Sequence, residues 1–182
     1  MEENREKSIV NKVVVVTGGS RGIGAKIVKT LANENYKVIL NYNNSKEQAE
    51  KIQQELLEQG KEIEIIKADV SKKEEAEKLI QFAINKFNKI DILINNAGIS
   101  QEGLFTDVTE EEWQKIINTN LNSVFYCNQQ ALKYMIQEQQ GCIINISSIW
   151  GETGASCEVA YSTTKAAING MTKALAKEVG PS

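Results

Sequence analysis

The sequence predicts a doubly wound α/β fold in three layers, with helices on both faces of a parallel sheet. Short β-branched runs alternate along the chain with longer amphipathic segments, and the links between them are short. Such alternation favours parallel strands joined by right-handed crossovers. The predicted strands are apolar throughout, as expected when both faces of a sheet are covered. No internal repeat or linker interrupts the pattern, so we predict a single domain over residues 1–182.

Five strands and five helices follow from this pattern in order. The predicted strands are residues 13–17, 37–41, 63–68, 90–94 and 142–147. The predicted helices are residues 23–34, 47–59, 74–87, 110–137 and 159–179, with a kink near Asn120 and a C-terminal stop at Gly60. Three helix starts have the spacing of a capping box, in which side chain and backbone bond reciprocally: Ser45 with Gln48, Ser71 with Glu74, and Thr109 with Glu112.

Composition excludes several kinds of site. The chain has no histidine, so it cannot form a Ser-His-Asp triad, a Cys-His dyad or a histidine-ligated metal site. Acid–base chemistry near neutral pH must then use Tyr, Lys, Asp, Glu or Cys. The net charge of −3 gives no electrostatic case for a nucleic acid or an anionic membrane as partner. We therefore expect neither of these partners and no metal.

The cysteines and the start of the chain predict a cytoplasmic protein. Cys127, Cys142 and Cys157 are widely spaced and odd in number, so we expect reduced thiols that are buried as small apolar residues. Residues 1–12 contain no signal-type apolar stretch. The valine run at 13–16 is far shorter than the roughly 20 residues that span a bilayer.

A glycine-rich loop, TGGSRGIG at residues 17–24, joins the first strand to the first helix. Glycine permits the tight turn and lets the backbone approach a diphosphate without a Cβ clash. The following helix N-terminus offers N–H donors and the positive end of its dipole. The alternative is a turn that binds nothing, but the position after the first strand of a βαβ unit favours a dinucleotide site.

The second strand indicates which dinucleotide is bound. A site that prefers NAD commonly carries an acid at the end of this strand, where it bonds the ribose 2′-hydroxyl. Residues 40–45, LNYNNS, contain no acid, and Arg21 in the glycine loop could bind a 2′-phosphate. We therefore predict NADP(H) rather than NAD(H).

Tyr161 and Lys165 stand four residues apart at the start of the last predicted helix. One helical turn puts them on the same face, about 6 Å apart along the axis. Free tyrosine is a poor acid at neutral pH, but a neighbouring ammonium favours its phenolate. Ser148 follows the fifth strand, 13 residues upstream, where it could donate a hydrogen bond to a substrate oxygen. From spacing alone, a surface Tyr–Lys pair and a role for Ser147 instead of Ser148 remain open.

Together these features resemble the short-chain dehydrogenase/reductase family over residues 12–182. The resemblance rests on five elements in the family's order: the glycine loop, Asp69-Val70, the NNAG stretch at 95–98, Asn120, and Ser148 with Tyr161-x-x-x-Lys165. It implies a Rossmann-type domain and an oxidoreductase acting on CH–OH groups. VTGGSRGIG and LINNAGI are most similar to the NADPH-dependent reductases of fatty acid biosynthesis that reduce 3-oxoacyl thioesters of acyl carrier protein.

The resemblance implies four catalytic residues. Tyr161 would donate a proton to the substrate carbonyl oxygen as hydride arrives from the nicotinamide. Lys165 would assist Tyr161 and hold the nicotinamide ribose, while Ser148 would orient the substrate oxygen. Asn120 would kink its helix and help hold a water chain to Lys165.

The resemblance also implies a set of cofactor contacts. Asp69 and Val70 would contact the adenine, and residues 96–98 would border its ribose, with a structural role for Asn96 as the alternative. The full implied set is Gly18, Ser20, Arg21, Gly22, Ile23, Gly24, Asn41, Asp69, Val70, Asn96, Ala97, Gly98, Tyr161 and Lys165.

The family pattern continues past Ser182 with further strands and a segment that covers the substrate. We therefore expect these residues to belong to a longer protein. Without that part, strand 142–147 would be an open apolar edge with Ile143, Ile144 and Ile146 short of cover.

The resemblance implies a homotetramer in which helices 110–137 and 161–179 pack between subunits, although both apolar faces could instead belong to the core. Acyl carrier protein is acidic, so a basic patch beside the cleft is expected, with Lys133 and Lys173 as candidates. Alternative functions are a family member acting on acetoacetyl-CoA, a sugar, a steroid or a small ketone, and a non-catalytic nucleotide-binding protein. Residues 99–105 and 149–158 border the pocket but do not identify the substrate.

Overall fold

A single parallel sheet of five strands, in the order β3-β2-β1-β4-β5, organises the chain. The computed structural model describes residues 11–182. The strands are β1 (Val13–Val16), β2 (Lys37–Tyr42), β3 (Ile63–Lys67), β4 (Ile92–Asn95) and β5 (Cys142–Asn145). The strand order reverses between β1 and β4, so a crevice opens there at the carboxyl ends of the strands. The predicted doubly wound α/β fold is confirmed.

Helices cover both faces of this sheet. They are α1 (Gly22–Asn33), α2 (Lys46–Glu58), α3 (Lys73–Phe87), α4 (Glu110–Ile117), α5 (Ser123–Gln137), α6 (Trp150–Thr153) and α7 (Val159–Val179). A 3₁₀ turn, Phe105–Asp107, precedes α4, and a π-helical turn, Asn118–Asn122, joins α4 to α5. None of the helices in residues 11–182 is both long and apolar enough to cross a membrane.

The valines of β1 divide between two hydrophobic cores because successive side chains of a strand point to opposite faces. Val14 and Val16 pack with α1 and α2, through residues such as Val28 and Leu56. Val13 and Val15 pack with α3 and α5 on the other face. All four valines are fully buried, which fixes β1 as the centre of the sheet and holds the glycine loop after it in place.

Three details of the helices and strands differ from the prediction. Helix 110–137 is split by the π turn at Asn120 rather than simply kinked, and α6 was not predicted. Only the Thr109 capping box forms, with Glu112. Ser45 makes no side-chain cap bond, and Ser71 donates to Asp69 instead, so that α3 begins at Lys73.

The predicted burial of the cysteines is confirmed for one residue of three. Cys127 is buried, and burial raises the pKa of its thiol to about 12. Cys142 and Cys157 are exposed. Cys142 begins the edge strand β5, and Cys157 lies in the loop before α7 with φ of 62°. The predicted exposure of β5 is confirmed at Ile144, which is 43% exposed.

Candidate active site

A groove of about 420 Å³ lies at the carboxyl ends of the central strands. It is lined by the glycine loop, the end of β2, the residues after β3 and the residues after β4. The implied cofactor contacts that line it are Gly18, Ser20, Arg21, Gly22, Ile23, Gly24, Asn41, Asp69, Val70, Asn96, Ala97 and Gly98. The fold therefore gathers residues from four separate chain segments around one groove.

The glycine loop has the shape that a dinucleotide requires. Gly18 has φ of +63°, a region that residues with a Cβ rarely adopt. At Gly24, a Cβ would collide with the carbonyl oxygen of Gly18 and approach the amide nitrogen of Asn96 to 2.5 Å. α1 starts at Gly22, so its first N–H groups face the groove that this close packing leaves open. A cofactor diphosphate fits this loop and helix start.

Two asparagines hold the loop against the sheet. The Asn96 amide donates to the carbonyls of Thr17 and Gly18 at 3.0 and 3.1 Å, which supports the structural role for this side chain. Asn41 is buried, accepts from Gly18 N at 3.3 Å and donates to Ala68 O at 2.9 Å. The end of β2 thus carries an amide rather than an acid, and it braces the loop.

Tyr161 and Lys165 meet on one face of α7. The Lys165 Nζ lies 5.5 Å from the centroid of the Tyr161 ring and donates to the carbonyl of Ile146 at 2.7 Å. Lys165 is only 5% exposed, and this burial lowers its pKa. α6 packs closely against α7 at this point. The glycine at position 151 allows it, because a Cβ there would meet the backbone of Lys165 at 2.7 Å.

The structure distinguishes the two serines after β5. Ser147 Oγ donates to the backbone carbonyl of Lys165 at 3.2 Å, so its hydrogen is used within the protein. Ser148 Oγ accepts from Trp150 N at 3.2 Å. Within residues 11–182 the Ser148 hydroxyl has no acceptor for its own hydrogen, whereas the Ser147 hydroxyl has one.

Asn120 links the groove to the tyrosine helix. It is fully buried in the π turn, and its side chain bonds both the N–H and the carbonyl of Ile99 at 2.8 Å. Its amide also reaches Thr164 Oγ1 at 3.4 Å, and Thr164 Oγ1 bonds the carbonyl of Tyr161. π turns recur at functional sites because they re-aim a helix locally. The water chain to Lys165 stays a prediction.

A partly buried asparagine network between β4, β5 and two helices was not predicted. Asn95 at the end of β4 donates to Asn128 on α5 and to Asn145 on β5, at 2.7 and 2.9 Å. Asn145 continues to Thr172 on α7. These residues are far apart in sequence and follow no helical or strand period. Only Asn95 belongs to a motif recognised in the sequence, the NNAG stretch at 95–98. The network holds β5, and hence Ser148, in register with α7.

The buried ammonium of Lys165 predicts a pH effect on stability. Its pKa in the folded chain lies below the ordinary value of 10.5, so the unfolded chain binds more protons in the interval between the two values. The free energy of unfolding should therefore rise with pH across that interval more steeply in the wild type than in Lys165→Met. Denaturant titrations at several alkaline pH values measure both slopes. Lys173→Met, at an exposed position of the same helix, is the control, and equal slopes for wild type and Lys165→Met would contradict the prediction.

Comparison with known proteins supplies the family. The sequence model of the protein family described as short chain dehydrogenase matches residues 12–182 of this chain. A protein from Staphylococcus epidermidis, named 3-oxoacyl-[acyl-carrier-protein] reductase FabG, is 41% identical over 170 residues, 93% of this chain and 70% of that protein. A protein of the same name from Staphylococcus aureus is 40% identical over 170 residues, 93% of this chain and 69% of that protein. The 3-oxoacyl-[acyl-carrier-protein] reductase of Synechocystis sp. is 38% identical over 172 residues, 94% of this chain and 70% of that protein.

The match covers the glycine loop, the NNAG stretch and the serine, tyrosine and lysine positions, which the fold has brought to one edge of the sheet. A nicotinamide cofactor is the one that this family uses. The chain belongs to the short chain dehydrogenase family of oxidoreductases.

Proposed function

We propose that this chain catalyses the NADPH-dependent reduction of a 3-oxoacyl thioester of acyl carrier protein to the 3-hydroxyacyl form, in fatty acid biosynthesis. The observation that supports the proposal is the contact of Lys165 with Tyr161 and with the carbonyl of Ile146, two residues before Ser148. Asn120 and Ile99 connect this part of the sheet to the groove. The names of the relatives from Staphylococcus and Synechocystis support the substrate class.

The proposed chemistry divides the work between the cofactor and the chain. Bound NADPH supplies a hydride to the carbonyl carbon at C3. The Tyr161 hydroxyl donates its proton to the carbonyl oxygen, which becomes the 3-hydroxyl group. Ser148 donates a hydrogen bond to the same oxygen and so stabilises the negative charge that develops there. The ammonium of Lys165 stabilises the phenolate left on Tyr161, and solvent returns the proton.

Exposed apolar side chains beside Ser148 favour an acyl substrate over a sugar. Ile149 and Trp150 follow Ser148 directly and are 58% and 41% exposed. Leu104 and Phe105, on the loop after β4, are 62% and 60% exposed. An acyl chain would bury this apolar surface, whereas a sugar would leave its hydroxyls without partners there.

The test of this function is NADPH oxidation with matched substrates. We expect the chain to oxidise NADPH with a 3-oxoacyl thioester of acyl carrier protein, and more slowly with acetoacetyl-CoA. A small ketone, a steroid ketone and a ketose are the comparison substrates. Turnover with one of these but not with either thioester would contradict the assignment. NADPH binding without turnover of any substrate would favour the non-catalytic alternative.

Arg21 should set the cofactor preference. It is the N-cap residue of α1, is exposed and lines the same groove as Asn43 and Ser45, and residues 40–45 after the middle of β2 contain no acid to oppose a 2′-phosphate. A charge-assisted hydrogen bond contributes about 1.5–3 kcal/mol, so Arg21→Ala should lower the affinity for NADPH about 10- to 100-fold while changing that for NADH little. Titration of both cofactors measures the ratio. Lys26→Ala, an exposed cation on α1 away from the groove, is the matched control. A wild type that prefers NADH would overturn the NADP(H) assignment.

We propose a homotetramer as the assembly, with the face between α5 and α7 as one of its subunit contacts. A shallow apolar groove there is lined by residues such as Phe125, Ile136 and Leu175, with Phe125 and Ile136 45% and 43% exposed. Lys133 also lines it, so a subunit contact on this face would remove Lys133 as a contact for acyl carrier protein. Lys173 is the remaining candidate. We place the reaction in the cytoplasm, because the chain has an odd number of widely spaced cysteines, which is typical of reduced thiols.

A further inference from the structure

Two loops that flank the tyrosine helix are joined at the rim of the site. Ser100, on the loop after β4, places its Oγ 2.9 and 2.8 Å from the two carboxylate oxygens of Glu158. Three residues further along, the N–H of Gly103 donates to the carbonyl of Cys157 at 2.9 Å. We call these two contacts together the clasp. The first of them connects residues 58 apart in sequence.

The same loop is fixed at its inner end by Asn120. Both backbone groups of Ile99 bond the Asn120 side chain, and Ile99 itself lines the groove. The loop is therefore held at two adjacent residues. The buried side-chain amide of Asn120 bonds Ile99, and the carboxylate of Glu158, nearer the surface, bonds Ser100. It forms part of the wall between the groove and α7.

The carboxylate belongs to the residue that starts the tyrosine helix. Glu158 is the N-cap of α7, and its carbonyl accepts from Ser162 N at 2.8 Å. Tyr161 lies in this first turn. On its inner side, α7 is tied to Asn120 through Thr164, whose Oγ1 also bonds the carbonyl of Tyr161 at 2.7 Å. The loop thus contacts α7 directly at Glu158 and, through the Asn120 side chain, at Thr164. Tyr161 lies between these two positions in sequence.

We propose that Ser100 and Glu158 are positioning residues, which hold the loop wall against the first turn of α7 and so set how the substrate carbonyl approaches Tyr161. The inference rests on the proposed reductase function for its kinetic part. When the Ser100–Glu158 contact is lost, the loop keeps only the Gly103–Cys157 half of the clasp and the bonds of Ile99 to Asn120, and residues 100–105 can move further from α7. Because Tyr161 itself keeps its helix and Thr164 contacts, the main effect falls on productive substrate binding.

A double-mutant cycle with a kinetic split tests the kinetic part. Ser100→Ala and Glu158→Ala should each raise the KM for the 3-oxoacyl thioester about three- to tenfold, with the Kd for NADPH changed less than twofold. The double variant should be no worse than either single variant, because one contact is lost in all three. Ser100→Thr and Glu158→Gln keep a donor and an acceptor and should restore the wild-type KM. Thr106→Ala, which removes an exposed hydroxyl–carboxylate bond to Asp107 within the loop, is the control.

Hydrogen exchange tests the clasp apart from turnover. The Gly103 amide should exchange faster in Ser100→Ala and Glu158→Ala than in the wild type and in Thr106→Ala. Unchanged exchange would overturn the clasp, and faster exchange with unchanged KM would overturn its positioning role. Additive effects in the double variant would also overturn that role. A wild type that turns over no thioester would contradict the proposed function, and the exchange rates would then decide the clasp by themselves.

Discussion

Replacing Tyr161 with phenylalanine is expected to lower kcat about 10²- to 10⁴-fold, the range that a positioned proton donor contributes. The substitution removes only the hydroxyl, so α7 and the groove keep their shape. The Kd for NADPH should stay within about twofold of the wild type, since the ring remains and Lys165 keeps its bond to Ile146. Steady-state kinetics and cofactor titration on one preparation separate the two effects.

Tyr134→Phe is the matched control for this substitution. Its hydroxyl donates to Gln81 at 2.7 Å between α5 and α3, on the far side of the core from the site. Loss of that bond should cost about 0.5–1.5 kcal/mol of stability and leave kcat unchanged. Substantial residual turnover in Tyr161→Phe would remove Tyr161 as the proton donor.

A methyl group at Gly24 should abolish high-affinity cofactor binding. The Cβ of Gly24→Ala would collide with the Gly18 carbonyl and press on the Asn96 amide, both of which are backbone or backbone-anchored groups. The glycine loop must then shift off the sheet, at about 1–3 kcal/mol in stability, as for other overpacked sites. We expect the affinity for NADPH to fall at least about 100-fold, because the loop and the start of α1 can no longer reach the diphosphate together.

Gly170→Ala is the control for this substitution. Gly170 lies within α7 with no atom close to where its Cβ would stand. Alanine there should stabilise the helix by about 0.5–1 kcal/mol and leave NADPH binding unchanged. Equal NADPH affinity in Gly24→Ala and wild type, measured by calorimetric titration, would remove the glycine loop from the cofactor site.

Periodic and spaced features of the site were predictable from sequence. α7 spans Val159–Val179 as predicted, because the helical apolar pattern repeats over a long segment. Tyr161 and Lys165 lie within this helix. The groove residues followed from one strand–loop–helix pattern and from the rule that such folds bind ligands where the strand order reverses. The strands needed only small changes at their ends, because β1 and β2 are buried on both faces and read as continuous apolar runs.

Features that depend on tertiary contacts were beyond the sequence. Ser71 satisfies the capping pattern, but its hydroxyl bonds Asp69 and the N-cap residue is Lys72, so the predicted capping box does not form although α3 begins within one residue of its predicted start. The choice of Ser148 over Ser147 depends on where the Lys165 carbonyl lies, which spacing does not report. The Ser100–Glu158 contact joins an irregular loop to the N-cap residue of α7, and the loop's conformation follows no period.

The most direct measurement of the central claim is the fate of a labelled hydride. NADPH that carries deuterium at both hydrogen positions of C4 of the nicotinamide should be incubated with the chain and a 3-oxoacyl thioester of acyl carrier protein, and the product analysed by mass spectrometry. We expect one deuterium at C3 of a 3-hydroxyacyl product, with the hydroxyl proton drawn from solvent by way of Tyr161. Bound NADPH with no labelled 3-hydroxyacyl product would contradict it.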